Sequence, residues 1–269
     1  MFYFTLLLFL ATGVFGFWYW SKQHARTKLM ATELSEHQRA IVANYVPRFR
    51  KLPPELRAKL EGKINLFRHQ IEFVGCNGLD VTEEMQLSVA AQACLLVANT
   101  DAWYEQLRTV LIYPDAFKSQ EKEYDGCTVM EREIVRTGES WPHGPVVLSW
   151  ADIEHTASDD RDGHNIVLHE FAHQIDDLFG HSDGASTLNH RRSLSVWERV
   201  FTNAYERHVR NINDGKKTVL DDCGADVPEE FFAVAVEVFF EKSEDLKCEE
   251  SKFYEQLSEL FRLDPLTWR

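Results

Sequence analysis

The sequence has few features that would cross-link the chain covalently. Its 269 residues include five cysteines, an odd number at wide spacings, and no C-x-x-C pair occurs. A disulfide framework uses an even set of cysteines at short, regular spacings, so this pattern argues against one. The cysteines are therefore expected to be free thiols in a reducing compartment.

The sequence is also poor in positive charge. Lysine and arginine total 29 against 43 aspartates and glutamates, which gives a formal net charge of −14. Proteins that bind nucleic acid neutralise phosphates with basic patches, so direct nucleic-acid binding is not expected. Hydrophobic residues make up 44% of the chain and charged residues 27%, as in an ordinary globular protein.

Residues 2–20 lack charged residues altogether. A helix of that length, at about 1.5 Å per residue, spans roughly 28 Å, close to the hydrocarbon thickness of a bilayer. Trp18–Trp20 stand where an interfacial aromatic belt would lie, and Lys22, Arg26 and Lys28 follow. No basic residue precedes the run and no small-residue cleavage site follows it, which argues against a signal peptide.

These features predict one N-terminal transmembrane helix in the inner (cytoplasmic) membrane, with the rest of the chain in the cytoplasm. The alternative is a cytoplasmic protein in which residues 2–20 form a hydrophobic helix packed on the domain. The predicted organisation is a membrane anchor over residues 1–21, a linker over residues 22–50 and one catalytic domain over residues 51–269.

The domain is predicted to be α+β, mainly helical with a small β-sheet. Apolar periodicity and capping residues predict a series of helices: one from Pro53–Glu55, a buried one over 85–98, and others over Ser193–Asn211, from Pro228 and over 250–262. Alternating or continuous apolar runs predict three strands: Thr109–Tyr113, Thr128–Val135 and Pro145–Trp150. The third strand is either an edge strand, where an extended peptide could pair, or part of the core.

The most informative motif of the sequence is His169-Glu170-Phe171-Ala172-His173, which has the pattern H-E-x-x-H. Positions i and i+4 of a helix lie one above the other, so both imidazoles can hold one Zn²⁺. Glu170 is swung aside, where it can act on a metal-bound water as a general base. The domain is therefore expected to be a zincin-like metallopeptidase with one Zn²⁺ per chain.

A catalytic zinc takes three protein ligands, so a third donor is needed. The extended motif H-E-x-x-H-x-x-G-x-x-H does not continue here, because Asp176 and Phe179 stand at its last two positions. Nearby donors are His181, Asp183 and Glu198. The helix from Pro228 offers a better one, Glu230, although an acid in a first helical turn also favours the helix dipole.

Two further acids are predicted to support the ligands. Glu237 lies in the apolar run VAVEVFF, two turns after Glu230, and a buried carboxylate needs a partner. It is expected to orient a ligand imidazole through its second ring nitrogen. Asp176, three residues after His173, is another candidate for this role.

Three separated blocks, HEFAHQID, PEEFFAVAVEVFF and GPVVLSW, resemble the Mlc titration factor A family of zinc-dependent peptidases, over about Tyr113 to Phe240. The catalytic core of that family is similar to the protease domain of anthrax lethal factor, a gluzincin. The resemblance implies that His169, His173 and Glu230 are ligands and that Glu170 is the base. It also implies aminopeptidase-type activity and binding of a glucose-responsive transcriptional repressor.

The chain departs from the family pattern at one position. Family members carry a tyrosine in a D-x-Y-G block seven residues before the ligand glutamate, where it is expected to donate to the oxyanion. This chain has Cys223 there, a weak hydrogen-bond donor with a short reach. Catalysis is then weakened, or Tyr205 or His208 substitutes, or the thiolate is a fourth zinc ligand that closes the site.

The sequence thus predicts a zinc peptidase that acts on peptide or protein substrates. It is expected to hydrolyse their amide bonds through a zinc-activated water. The rival hypothesis is a membrane-tethered binding factor that sequesters a transcriptional repressor, with slight or no peptidase activity. A structural zinc domain is the third hypothesis.

Overall fold

The computed structural model describes most of the backbone and a smaller set of side chains. The backbone is described for residues 2–125, 128–136, 138–140, 144–158, 161–180 and 191–268. Side chains are described for residues 12, 14–47, 49–116, 138–140, 144–156, 161–176 and 195–268.

The described chain has ten α-helices and six strands. The helices are α1 Phe2–Met30, α2 Glu36–Tyr45, α3 Pro54–Gln70, α4 Glu83–Val97, α5 Trp150–Ser158, α6 Ile166–Gly180, α7 Arg191–Asn213, α8 Pro228–Glu241, α9 Ser243–Glu249 and α10 Ser251–Phe261. The strands are β1 Glu72–Gly75, β2 Thr109–Tyr113, β3 Phe117–Asp125, β4 Thr128–Arg136, β5 Gly138–Ser140 and β6 Val146–Ser149. Short 3-10 turns cover Pro47–Lys51, Asp222–Ala225 and Pro265–Thr267. The prediction of a mainly helical α+β domain with a small sheet is confirmed.

The main sheet has the strand order β1-β2-β6-β5. The first three strands are parallel, with Val110 opposite Val146, and β5 runs antiparallel to β6, with Gly138 opposite Leu148. Every residue of β6 is buried. The third predicted strand, which was expected to be either an edge strand or part of the core, is therefore a core strand. The neighbouring strand β5 forms the edge of the sheet.

The predicted strand Thr128–Val135 lies outside this sheet. It pairs with β3 in a separate antiparallel hairpin, with Phe117 opposite Arg136. Strands β1 and β5 take its place in the main sheet. Both are short, with four and three residues, so neither contains the long alternating pattern that identifies a strand in sequence.

Helix α4 forms the centre of the core. Its Thr82 cap accepts a hydrogen bond from the Met85 amide, and its side chains from Leu87 to Val97 are buried. A helix that is apolar on all sides is stable only when other elements surround it. Helices α2, α3 and α6 pack against it, so the predicted buried core helix is confirmed.

Part of the predicted linker contributes to this core. Within residues 22–50, Val42 and Phe49 are fully buried, and α2 packs on α4. The buried Glu61 carboxylate accepts hydrogen bonds from the Leu34 amide and the Arg39 guanidinium, at 2.9 Å in each case. These bonds attach the segment between α1 and α2 to α3. The predicted boundary between linker and domain at residue 51 remains a prediction.

The predicted transmembrane anchor over residues 2–20 is corrected by the structure. Among the residues whose placement is described, no helix has the length and apolar character needed to cross a membrane. The helix continues past Trp20 to Met30, and this last part includes Lys22, Arg26 and Lys28. The side chains of residues 2–11 lie outside the described set.

The alternative, in which the same segment packs on the domain, is also not what the described side chains show. Phe15, Trp18 and Trp20 are exposed. Among the described side chains of α1, those near its C-terminal end contact the domain: Leu29 and Met30 pack on the core, and Arg26 lies 5.8 Å from the Trp103 ring centre. The contact that holds this end is between two backbones, since a Cβ at Gly62 of α3 would overlap the Met30 carbonyl.

Substitution of Gly62 by alanine should therefore weaken the docking of α1. Overpacking against a backbone typically costs about 1–3 kcal/mol, and the loss should appear as a lower free energy of unfolding and faster proteolysis after Met30. The matched control is Gly16→Ala in α1, where a Cβ meets no atom within 4 Å. That change should be neutral or stabilising by up to about 1 kcal/mol, and equal behaviour of both variants would contradict the proposed contact.

Candidate metal centre

Helix α6 positions the two histidines of the H-E-x-x-H motif. Asn165 caps it: its Oδ1 accepts from the Leu168 amide at 3.0 Å, and its carbonyl accepts from the His169 amide at 2.9 Å. This cap starts the helix one turn before the motif. The rings of His169 and His173 then lie on one face, with their centres 5.0 Å apart.

Helix α8 brings Glu230 to the same point. Pro228 stands in its first turn, and the following residues from Phe231 to Phe240 are all buried against the rest of the core, including α6. One Glu230 oxygen lies 3.2 Å from His169 Nε2 and the other lies 3.5 Å from His173 Nε2. One ligating atom from each of the three residues lies within 4.8 Å of the others.

The donor set suits a metal ion. Two imidazole nitrogens and one carboxylate oxygen are the ligands of catalytic zinc in many hydrolases, and such a set leaves one position for water. The three side chains are half-buried, with exposed fractions of 17%, 21% and 35% for His169, His173 and Glu230. A metal held here would therefore remain accessible to a substrate.

Glu237, the predicted supporting acid, contacts His169 on the side away from Glu230. Its side chain is only 6% exposed, and its Oε1 lies 2.8 Å from His169 Nδ1. Its Oε2 accepts a hydrogen bond from the Asn165 backbone amide. One carboxylate thus contacts the outer nitrogen of a ligand candidate and the cap of the helix that carries it, which is the arrangement that directs Nε2 toward a metal.

These contacts control the protonation of His169 in the metal-free protein. Burial opposes the positive charge, but hydrogen bonds with Glu230 and Glu237 prevail and raise the pKa of His169 to about 10. Burial also raises the pKa of Glu237, while the His169 contact lowers it. The imidazolium therefore offsets one of the two carboxylate charges at neutral pH, and a metal ion that binds here would displace its proton.

Glu170, the predicted base, lies under strand β5. Its side chain is buried, and its Oε1 occupies the space that a Cβ at Gly138 would need. Ser140, two residues on, accepts a 2.7 Å hydrogen bond from Gln174 of α6. The edge strand is thus attached to α6 at two points, and a carboxylate lies directly under its backbone.

Cys223 lies in the 3-10 turn that precedes α8. Asp221 caps the turn by accepting from the Cys223 amide at 3.0 Å. Cys223 is exposed as a residue, but partial burial of its thiol and a hydrogen bond to Asp221 raise its pKa to about 12. The group therefore remains a neutral thiol, and its sulfur is not among the atoms that cluster within 4.8 Å at the candidate metal centre.

Of the two candidate substitute donors, His208 contacts the turn and Tyr205 packs on α8. His208 is buried, its Nε2 lies 3.1 Å from the Asp221 carbonyl and its Nδ1 lies 3.1 Å from Thr218 Oγ1. Tyr205 packs its ring edge-on against Phe231. His208 thus acts on the loop that carries Cys223, and its pKa is lowered by burial.

The remaining predicted residues are distributed as follows. Asp176 lies half-buried on α6, and its role as an orienting acid stays a prediction. Glu198 is exposed on α7. His181 and Asp183 lie outside the described residues.

Sequence reasoning missed two residues of this site. Asn165 carries a recognisable signal, since an asparagine directly before an apolar helix is a preferred cap. Gly138 carries a weaker one, because only the folded structure shows which side chain needs its space.

The chain was compared with known proteins. Residues 19–262 match the profile of the family described as glucose-regulated metallo-peptidase M90. A protein of Synechocystis sp. described only as uncharacterized is 37% identical over 265 residues, which cover 97% of this chain and 96% of the relative. Mlc titration factor A of Yersinia pestis (strain Pestoides F) is 31% identical over 258 residues, 93% of this chain and 90% of the relative.

The family predicted from three sequence blocks is thereby confirmed, and the match extends further toward both termini than Tyr113–Phe240. It includes α4, which forms the centre of the core, and α2 and α3, which pack against it. The chain belongs to the glucose-regulated metallo-peptidase M90 family.

Proposed function

We propose that the protein is a zinc-dependent peptidase of the gluzincin type. His169, His173 and Glu230 hold one Zn²⁺ per chain, and Glu237 orients His169. The observation that carries this proposal is the convergence of three ligating atoms within 4.8 Å, with a buried carboxylate on the outer nitrogen of His169. When bound, zinc polarises the scissile carbonyl and lowers the pKa of a water to about 7.

The base in this mechanism is Glu170. Its carboxylate removes a proton from the attacking water and delivers that proton to the nitrogen of the leaving amine. Burial under strand β5 excludes solvent from the Glu170 carboxylate. Because Gly138 has no side chain, this carboxylate remains within reach of a substrate that lies along the strand. The Glu170 carboxylate therefore lies under the same strand that would pair with the substrate.

The substrate is a peptide in an extended conformation. Strand β5 is the last strand of the described sheet and pairs with β6 alone, so its second edge can accept backbone hydrogen bonds. The finer part of the proposal is aminopeptidase specificity, which rests on the family resemblance. Peptides with a free N-terminus should then be cleaved faster than the same peptides after N-acetylation.

A second function is favoured by a separate observation. A relative carries the name Mlc titration factor A, and this chain has a neutral thiol at Cys223 beside the candidate metal centre. The protein would then bind and sequester a transcriptional repressor, with weak peptidase activity. Direct repressor binding by a variant without peptidase activity would support this second function.

The ligand assignment predicts the metal content of variants. His169→Ala, His173→Ala and Glu230→Ala should each reduce zinc in dialysed protein well below about one ion per chain, because a ligand is lost from a three-ligand site. The control is Glu198→Ala, an exposed acid on α7. Normal zinc in Glu230→Ala together with reduced zinc in the control would show that the third ligand is wrong.

The base assignment predicts a different phenotype for Glu170→Gln. Its amide cannot accept the proton of the water, so peptide hydrolysis should fall by about 10²-fold or more, while zinc content remains normal. Hydrolysis is measured with a peptide library on wild type and variant in parallel. Retention of wild-type activity at full zinc occupancy would exclude Glu170 as the base.

The position of Cys223 predicts a gain of function. If a missing oxyanion donor limits the rate, Cys223→Tyr should raise kcat/KM by about tenfold or more, with zinc affinity unchanged. Cys248→Tyr, at another exposed cysteine, is the matched control. Weaker zinc binding in Cys223→Tyr would instead identify the thiol as a ligand, and an unchanged or lower rate would show that another donor already acts.

A further inference from the structure

Helix α6 carries two adjacent rows of polar side chains. His169 and His173 form the row of ligand candidates, four residues apart. The residues directly after them, Glu170 and Gln174, form a second row that contacts strand β5. Neighbouring helical positions differ by about 100° around the axis and about 1.5 Å along it. A shift of β5 along the second row is therefore an equal shift relative to the candidate metal centre.

The spacing of residues in β5 matches the spacing of this second row. Gly138 lies over Glu170, and Ser140, two residues later, contacts Gln174, which lies four residues later on α6. Two strand residues span about 6.6 Å, and four helical residues span about 6 Å. A slide of β5 by one residue would turn Ser140 to the other face of the sheet and break this match.

The two contacts between β5 and α6 are of different kinds. At Gly138 the contact is steric, because a Cβ there would overlap the Glu170 carboxylate and the Ile166 side chain. At Ser140 it is a hydrogen bond, in which Gln174 Nε2 donates to Oγ at 2.7 Å. Gln174 is only 7% exposed, and hydrogen bonds of buried amides are costly to break. The glycine thus sets the distance of β5 from α6, and the hydrogen bond sets its position along α6.

The sheet alone holds β5 weakly. Strand β5 has three residues, and within the described sheet it pairs with β6 only, with Glu139 opposite Val147. The register of a short strand that contains glycine is weakly specified by backbone pairing. The position of β5 along α6 therefore depends on the side-chain contact between Gln174 and Ser140.

We propose that Gln174 is a positioning residue that sets the register of the substrate through Ser140. This role presupposes the proposed peptidase function, in which an extended peptide pairs with the outer edge of β5. A peptide that adds to a sheet takes its register from the strand with which it pairs, and β5 takes its register from α6. The hydrogen bond thereby brings one amide bond of the peptide, rather than its neighbours, to the candidate metal centre.

A small error in this register has a large effect on the rate. Successive residues of an extended chain lie about 3.3 Å apart and face opposite sides. Misplacement of a substrate by about 1 Å can already lower the rate by about 10²-fold. Loss of the contact between Gln174 and Ser140 should therefore lower kcat and relax the choice of the bond that is cut, while zinc binding is unaffected.

The test is a double-mutant cycle on the zinc-loaded full chain, with Ser140→Ala, Gln174→Met and the double variant. Each single change should lower kcat on library peptides by about tenfold or more, while KM changes far less. The double variant should be no slower than the slower single variant, because both changes remove the same bond. Ser140→Thr keeps the hydroxyl and should retain the wild-type rate, as should the matched control Ser251→Ala, an exposed serine on α10.

The position of the cut separates a positioning role from a merely structural one. Mass spectrometry of the products should show additional cuts at neighbouring bonds in Ser140→Ala, which a loss of stability alone would not produce. The register is also measured without turnover, in Glu170→Gln loaded with Co²⁺. Paramagnetic relaxation of a bound library peptide should identify one residue nearest the ion, and several residues after Ser140→Ala is added.

The outcomes distinguish this inference from the proposed function. Hydrolysis with unchanged kcat and unchanged cuts in Ser140→Ala, or independent losses that add in the double variant, would overturn the inference and leave the peptidase function standing. A bound peptide whose register depends on Ser140, without hydrolysis by the wild type, would overturn the peptidase function alone. Peptides that bind away from the ion, or do not bind, would overturn both.

Discussion

The contact on which the site depends is the one between the Glu237 carboxylate and His169 Nδ1. An acid buried to this degree in the apolar face of α8 would destabilise the fold by several kcal/mol without partners. It has two, the His169 imidazole and the Asn165 amide, and both belong to α6 or its cap. The pairing therefore fixes the rotation of α8 relative to α6.

That rotation places Glu230. Seven residues separate Glu230 from Glu237, close to two helical turns, so the two acids lie on the same side of α8. Once Glu237 contacts the outer nitrogen of His169, Glu230 is brought to the inner nitrogens of both histidines. The apolar residues of α8 stabilise its packing against α6, and the contact between Glu237 and His169 determines how the two helices are aligned. Asn165 extends the same logic to Glu241, one turn further along α8.

The parts of this arrangement that sequence could predict are those with a local pattern. The histidine pair follows from helical periodicity, and Glu237 is identifiable because a charge interrupts an apolar run. Strands β1 and β5 are too short for such a pattern, and the pairing of Thr128–Val135 depends on a partner strand elsewhere in the chain. The transmembrane prediction is wrong, since no helix among the described residues is long and apolar enough to cross a membrane. The count of uncharged residues also did not show that α1 continues past Trp20 through three basic residues to a backbone contact at Gly62.

The imidazolium of His169 has a consequence for the order in which the protein matures. Because its proton offsets one of the two negative charges of Glu230 and Glu237, the two helices can pack in their final orientation without a metal ion. A metal ion that binds here would displace this proton at a site whose helices are already in place. Folding of the chain and binding of the ion would then be separate events.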